Sequence, residues 1–357
     1  MVEVNGAMLE GGGQLLRVAV ALSGVTGTPI RVVNIRVKRP NPGLRPQHLS
    51  AIQAVARLVN AKTQGLTLGS REIEFDPGSI EAKNIEVDVG TAGSTSLILQ
   101  AMMPAMVFAK SPLLAVVKGG TNNPMAPPVD FLERALLPTL RRIGVSASLE
   151  LARRGFYPRG QGILKVSTIP ATRISPITLE EFGNIERVSG LAYSSRLPQH
   201  VVDRMISAAK SHLLKVGSPD PWIDREILQS NDAKCAVNAG CGIILLAELS
   251  SGGILSGDAL GAPGKPAEKV GEEAAQTLAR QLESRAPVDK HMGDQLVIWM
   301  GLAEGSSVTR VSELTLHTLT CVKLVEDLIG ARFSVEGERG EPATIRCQGM
   351  GLRTATL

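Results

Sequence analysis

Three segments of the chain carry the same run of apolar and polar positions. GGGQLLRVAVALSG from Gly11, GSTSLILQAMMPAM from Gly93 and GDQLVIWMGLAEG from Gly293 each open on glycine and a small or polar residue. Each then continues for about ten mostly apolar residues, a pattern that predicts a buried helix with a capped N-terminus. Stretches 30–36, 114–118 and 307–311 follow, rich in β-branched residues, and read as strands. Longer amphipathic helices are predicted over 46–60, 129–143 and 315–329, where apolar residues recur near the helical period. Strand pairs come next: 67–68 with 72–75, 146–151 with 162–167, and 332–335 with 343–347.

The unit is therefore helix, strand, helix, strand, strand, with room for one more strand at its start. Helices alternating with hairpins imply an α+β fold of three repeated helix/strand units, each with two helices on a small sheet. The first two units start about eighty residues apart and the next starts about two hundred further on, which leaves roughly 120 surplus residues. The surplus carries its own strand (188–193), helix (200–214), strand (242–249) and helix (267–284). It reads as a smaller inserted α/β domain over 183–285, the three-repeat core being 1–182 and 286–357. No candidate site segment falls inside it, so it is expected to fold as a separate module outside the reacting centre.

Composition narrows the function. Of 357 residues, 43% are hydrophobic and 20% charged, which excludes wholesale disorder. A net charge of +4 suits an anionic ligand but does not identify a nucleic-acid binder. With aromatics at only 3%, a long base-stacking surface is excluded, and any RNA would be recognised by an end or a phosphate. The four cysteines form no C-x-x-C pair and read as buried thiols. The first residues lack a basic and an apolar signal region, and the most apolar stretch, 97–117, is broken by Gln100, Pro104 and Lys110. The expectation is a cytoplasmic protein with no membrane contact.

Several segments carry candidate chemistry. Glu10-Gly11-Gly12-Gly13-Gln14 leads into the first helix with Arg17 one turn inside, and bare glycines at a helix start let phosphate approach the backbone amides. A tight strand-to-helix turn explains the same glycines equally well. Glu10 beside a phosphate site would imply a divalent cation between them. In Arg36-Val37-Lys38-Arg39-Pro40-Asn41-Pro42-Gly43-Leu44-Arg45, cations crowd a proline-held loop ahead of Gln47 and His48, which favours phosphate binding over a solvated charge run. The 119–130 segment, rich in proline, reads as a loop or a ligand wall. Arg153-Arg154-Gly155-Phe156-Tyr157-Pro158-Arg159 is a basic turn between strands, a soluble hairpin tip or an RNA contact. Pattern alone does not choose among His48, His200, His212, His291 and His317.

Taken together, EGGGQLLR, RPNPGLRPQHL, GSTSLILQAMMPA, KGGTNNPMAPPVDF, RRGFYPRGQG, HMGDQL and LHTLT, in this order, resemble the RNA 3′-terminal phosphate cyclase family across nearly the whole chain. The resemblance implies ATP-dependent conversion of an RNA 3′-phosphate into a 2′,3′-cyclic phosphodiester through a covalent histidine–AMP intermediate. It assigns the nucleophile to His317. His291 and Pro127 would face the two sides of adenine, and Gln100, Lys290, Met292, Gly293 and Asp294 match ATP-contacting positions. Gln14, Arg17, Arg39, Gln47 and His48 match residues around the triphosphate, and Glu10 the carboxylate linked to a divalent metal, magnesium or manganese. Cys321 departs from the family, where asparagine is common, and puts hydrogen bonding beside His317 in question.

The partners implied are ATP and RNA with a 3′-phosphate; the oligomeric state stays open, a homo-oligomer included. Rival readings are a non-catalytic RNA-binding relative acting in ribosome maturation, which should lack the nucleophile, an enolpyruvyl transferase, and a generic RNA-end binder.

Overall fold

The computed structural model describes residues 1–81 and 83–354. Its first part runs β1 (Val2–Asn5), α1 (Gly13–Thr26), β2 (Ile30–Val33), α2 (Pro46–Leu58), β3 (Lys62–Gln64) and β4 (Ile73–Asp76). The second runs β5 (Ile85–Asp88), α3 (Thr95–Val107), β6 (Leu113–Gly119), helix α4 over 129–141, β7 (Ser146–Arg153) and β8 (Gly162–Ile169). Helix α4 widens into a π-turn at Leu132–Leu136. After β9 (Thr178–Leu179) come β10 (Ile185–Ser195), α5 (Gln199–Lys215), β11 (Trp222–Leu228), β12 (Gly240–Leu249), β13 (Ile254–Leu260) and α6 (Ala267–Glu283). The chain closes with α7 (Lys290–Leu302), β14 (Ser306–Val311), α8 (Leu316–Ile329), β15 (Arg332–Glu336) and β16 (Ala343–Gln348).

This is a mixed α+β architecture with four small mixed sheets, ordered β1-β2-β4-β3, β5-β6-β8-β7, β9-β14-β16-β15 and β11-β10-β12-β13. In the first three, the opening pair is parallel, with Val4 opposite Val32, Val87 opposite Val117 and Val308 opposite Thr178. Their remaining pairs are antiparallel. Helix α1 packs on α2, α3 and α8, and α7 packs on α8. Because α1 and α3 are covered on nearly every side, their sequences are apolar all round rather than striped.

The fourth sheet is buried on both faces. Ala192, Ile243, Leu245 and Ala247 turn toward α5 and α6, whereas Leu191, Tyr193, Ile244 and Leu246 join the main core. That accounts for the near-continuous apolar run GIILLAEL of β12.

Some expected boundaries move. Residues 67–68 are not a strand; β3 lies earlier, because the pairing partner of β4 is the polar stretch Lys62–Gln64 on an edge. The strand expected over 30–36 stops at Val33, since Asn34 and Arg36 turn the backbone to φ 55 and φ 51. The helix expected from Gly293 begins at Lys290, where Asp289 caps it by accepting from the amides of His291 and Met292 at 2.9 and 2.7 Å. Strands β11 and β13 went unpredicted because Asp224, Arg225, Ser256, Gly257 and Asp258 break the apolar alternation. All four cysteines are buried and free. Among the described residues, no helix is long and apolar enough to cross a membrane.

Candidate active site

The packing of α1 against α8 brings two helix N-termini side by side, with the first turn of α7 completing the group. Thr315 caps α8, its hydroxyl accepting from the Thr318 amide at 3.0 Å, and this leaves His317 exposed on the first turn. The Nδ1 of His317 meets Oε1 of Gln14 in a short hydrogen bond. Gln14 in turn donates from Nε2 to Asp294 Oδ2 at 2.9 Å and to the Cys321 thiol at 3.4 Å. With the Gln14 amide nitrogen engaged there, its oxygen faces the imidazole and can only accept. The ring proton therefore sits on Nδ1, and Nε2 carries the free lone pair. Cys321 thus occupies the place where the resemblance left hydrogen bonding in question, and it serves as a weak acceptor for Gln14.

The electrostatics favour a neutral imidazole. Burial lowers the His317 pKa below its ordinary value, and Arg17, His291 and Arg39 push the same way against an opposing pull from Asp294. Burial raises the Asp294 carboxyl, with the two histidines acting against it. Burial also brings Arg17 down to about 10, still a cation at neutral pH, and lowers His48 to about 3 with help from Arg17, Arg36 and Arg45. His48 is therefore an uncharged group that accepts from the Arg45 amide at 3.2 Å through Nδ1.

Gly12 is the N-cap of α1 and no side chain caps that end, so its first amides point into the site. A Cβ on Gly13 would stand 2.2 Å from His48 Nε2, so the imidazole and a larger residue cannot share this corner. Arg39 pairs with Glu10 Oε1 across the glycines and also donates to the Glu10 carbonyl at 3.2 Å. Glu10 Oε2 is buried without a hydrogen-bond partner among the described residues. A divalent cation fits that oxygen as one protein donor, in the manner of magnesium held chiefly by substrate phosphates. Among the described residues, no group of three or more His, Cys, Asp or Glu could hold a metal by itself.

Other expected residues have definite places. The Gln47 amide oxygen accepts from the Ser94 amide at 3.3 Å, tying the basic loop to the start of α3. Gln100 lines a small cleft of about 30 Å³ with Gln14, Arg17, Asp294, Gln295 and Trp299, and its Nε2 is buried without a partner among the described residues. His291 is exposed on the first turn of α7, close enough to Asp294 and Asp258 to influence both. Lys290 pairs with Glu313 at 3.2 Å. The Met292 side chain is buried in the main core, and a Cβ on Gly293 would stand 2.8 Å from Val311. Pro127 is half-buried, two residues ahead of α4.

Two contributors were not foreseen. Gln295 donates to Asp294 Oδ1 at 2.7 Å, and the Glu10 amide reaches the Thr320 hydroxyl at 3.5 Å. Thr320 lies three residues after His317 on α8, a signal that helical periodicity alone could have supplied.

An α+β chain with an oriented imidazole, a buried arginine beside an exposed one and an open helix N-terminus at one site has the makings of a protein that handles phosphates. The chain belongs to the RNA 3′-terminal phosphate cyclase family, which matches residues 8–335. It is 44% identical over 346 residues to the RNA 3′-terminal phosphate cyclase of Pyrococcus furiosus, covering 97% of this chain and 98% of that one. The protein of the same name from Pyrobaculum aerophilum is 41% identical over 350 residues, covering 98% and 99%. Among solved structures, the enolpyruvyl transferase NikO from Streptomyces tendae aligns over 98% of this chain and 48% of its own. That likeness, at 12% identity and a TM-score of 0.38, bears on neither fold nor function.

Proposed function

We propose that this protein uses ATP to convert an RNA 3′-phosphate end into a 2′,3′-cyclic phosphodiester by way of His317–AMP. The observation that carries the reading is the Gln14–His317 contact, which directs a neutral Nε2 lone pair outward among Arg17, Arg39 and Glu10.

In the first step Nε2 attacks the α-phosphorus of ATP, an N–P bond forms and pyrophosphate leaves. Arg17, Arg39 and the open amides of α1 disperse the developing charge. A divalent metal at Glu10 would add charge neutralisation at the phosphates. An oxygen of the RNA 3′-phosphate then attacks the adenylyl phosphorus, the N–P bond breaks and an anhydride results. The vicinal 2′-hydroxyl attacks the 3′-phosphorus, loses its proton and expels AMP. Ring closure is intramolecular, so positioning supplies much of the acceleration, and DNA lacks the nucleophile.

Adenine lies between His291 and Pro127 in this reading, with Gln100 and the 290–294 turn nearby. The test is incubation with ATP labelled at the α-phosphate: the protein should acquire an acid-labile, base-stable label that RNA 3′-phosphate discharges. Absence of label with intact fold rejects the reading.

A pH profile follows from the lowered His317 pKa. The neutral fraction is complete at alkaline pH and falls as pH drops through the folded value, which lies below the ordinary 6.5. Adenylylation should therefore fall in acid with a midpoint below pH 6.5. In Asp294→Asn the midpoint should move lower still, because the Asp294 carboxylate is the group that raises His317. A wild-type midpoint above 6.5 would contradict the assignment.

For organisation, we propose a core of three related units, 1–182 with 286–357, and a module over 183–285. Their support is the strand order shared by three sheets and the separate apolar cluster beneath α5 and α6. The module is fastened to the site: Ser256 donates to Asp289 through its amide and hydroxyl at 2.9 and 2.6 Å, and Asp289 caps α7. The cytoplasm is the proposed compartment, supported by four unbridged cysteines.

A further inference from the structure

We infer that the loop between β7 and β8 is a platform on which a base of single-stranded RNA, 5′ of the reacting nucleotide, stacks against Tyr157. The inference rests on the proposed RNA-end chemistry and adds to it a subsite for the RNA body.

The loop displays an aromatic ring left largely uncovered by the described residues. Tyr157 is 70% exposed, whereas Tyr193 is 1% exposed, and Met125 stands fully in solvent on the neighbouring loop. These two loops run side by side, with Asn122 bridged to Phe156 and the Thr121 amide donating to the Gly155 carbonyl at 2.8 Å. An exposed aromatic in a chain with 3% aromatics is a feature to be accounted for.

The backbone beneath the ring is held from several directions. Phe156 is buried and stacks on Tyr193 with centroids 6.2 Å apart. Gly160 donates to the Phe156 carbonyl at 2.7 Å, Asn238 donates to the Tyr157 carbonyl at 3.1 Å, and Arg153 donates to the Gln161 carbonyl at 2.8 Å. A pre-ordered ring loses little entropy when a base stacks on it.

Charge and position both favour RNA. Residues 152–162 contain three arginines and no acid. Arg154 is consumed by Asp130 and Glu226, and half-buried Arg153 is engaged by the Gln161 carbonyl, which leaves Arg159 as the exposed cation, two residues from Tyr157. Gly160 packs so closely on Ala92 that a Cβ there would stand 2.7 Å from its Cα, and Ser94, two residues on, is bonded to Gln47. From Gln47 the next residue is His48, which borders Gly13 and Arg17. The loop that carries Tyr157 thus packs on the turn ahead of α3, which Gln47 ties to the basic loop, and in this proposal the strand leading to a bound 3′-phosphate runs over it.

The test uses the full-length protein and two oligoribonucleotides with 3′-phosphates, one intact and one abasic in the positions 5′ of the last nucleotide. Tyr157→Ala should raise KM for the intact RNA about 10- to 100-fold, as loss of one base–aromatic stack does, and Tyr157→Phe should restore it. On the abasic RNA, wild type and Tyr157→Ala should be alike. Arg159→Ala should steepen neither preference but weaken both RNAs and flatten their salt dependence. Label from ATP alone should be unchanged in Tyr157→Ala. An unchanged KM on intact RNA would overturn the platform and return the ring to some protein contact. An equal loss on both RNAs would also overturn it. Failure of the wild type to take label would instead reject the underlying reaction, a separate result.

Discussion

Replacing His317 with alanine should remove the covalent label from α-labelled ATP altogether, a fall of at least about 10³-fold in adenylylation rate, because the bond-forming atom is gone. The fold should persist, since His317 is exposed and the cap of α8 comes from Thr315. His291→Ala is the matched control. His291 also lies on the first turn of its helix and is also exposed, yet among the described residues no side chain orients its ring as Gln14 orients His317. That variant should still take the label, at a higher ATP concentration. Single-turnover labelling of both variants decides the matter, and exchanged behaviour would move the nucleophile to His291.

The largest stability effect is expected from Arg154→Met. Arg154 is 1% exposed and donates to both oxygens of Asp130 at 2.8 and 3.0 Å and to Asn122 at 3.1 Å. It also pairs with Glu226 and lies 3.9 Å over the Tyr193 ring. Burial pushes the Asp130 carboxyl upward, but Arg154 outweighs it and holds the group below its ordinary value. Removing the cation strands a carboxylate in the interior, which costs about 3–5 kcal/mol. Arg154→Met with Asp130→Asn should recover much of that, because the stranded charge is then gone. Urea unfolding midpoints measure both. If the single variant loses less than about 1 kcal/mol, the network does not act as a buried ion pair.

The same cluster shows why the module does not stand apart from the site. Asn122 lies just after β6 and Asp130 in α4, while Tyr193 lies on β10 and Glu226 on β11. Excising that region would uncover the core face that now meets Leu191, Ile244 and Leu246. A sequence-based boundary finds where the chain leaves and returns, but it does not weigh the face left behind.

Much of the site was legible because phosphate chemistry is local in sequence. Glycines 11–13, the proline-held cations around Arg39 and the polar residues Gln47 and His48 each fall within a short window, although only the family resemblance gave the glycines and His48 a role. The α1 and α3 helices were legible too, since an all-apolar run of helical length admits few alternatives. Gly293 misled, because a glycine needed for packing against Val311 looks in sequence like one that starts a helix. Edge strands β3 and β11 escaped because half-exposed strands tolerate charge and lose their alternation, and β13 because Ser256, Gly257 and Asp258 interrupt its apolar positions.

By itself, then, the sequence determined the apolar helices, several of the strands and the short motifs, all properties of neighbouring residues. The tertiary structure alone decided which imidazole is oriented, since Gln14 and His317 are 303 positions apart and meet only when α1 packs on α8. It also decided that His48 is neutral and that Arg154 is interior, because burial and the company of distant charges arise from packing and leave no local trace in the chain.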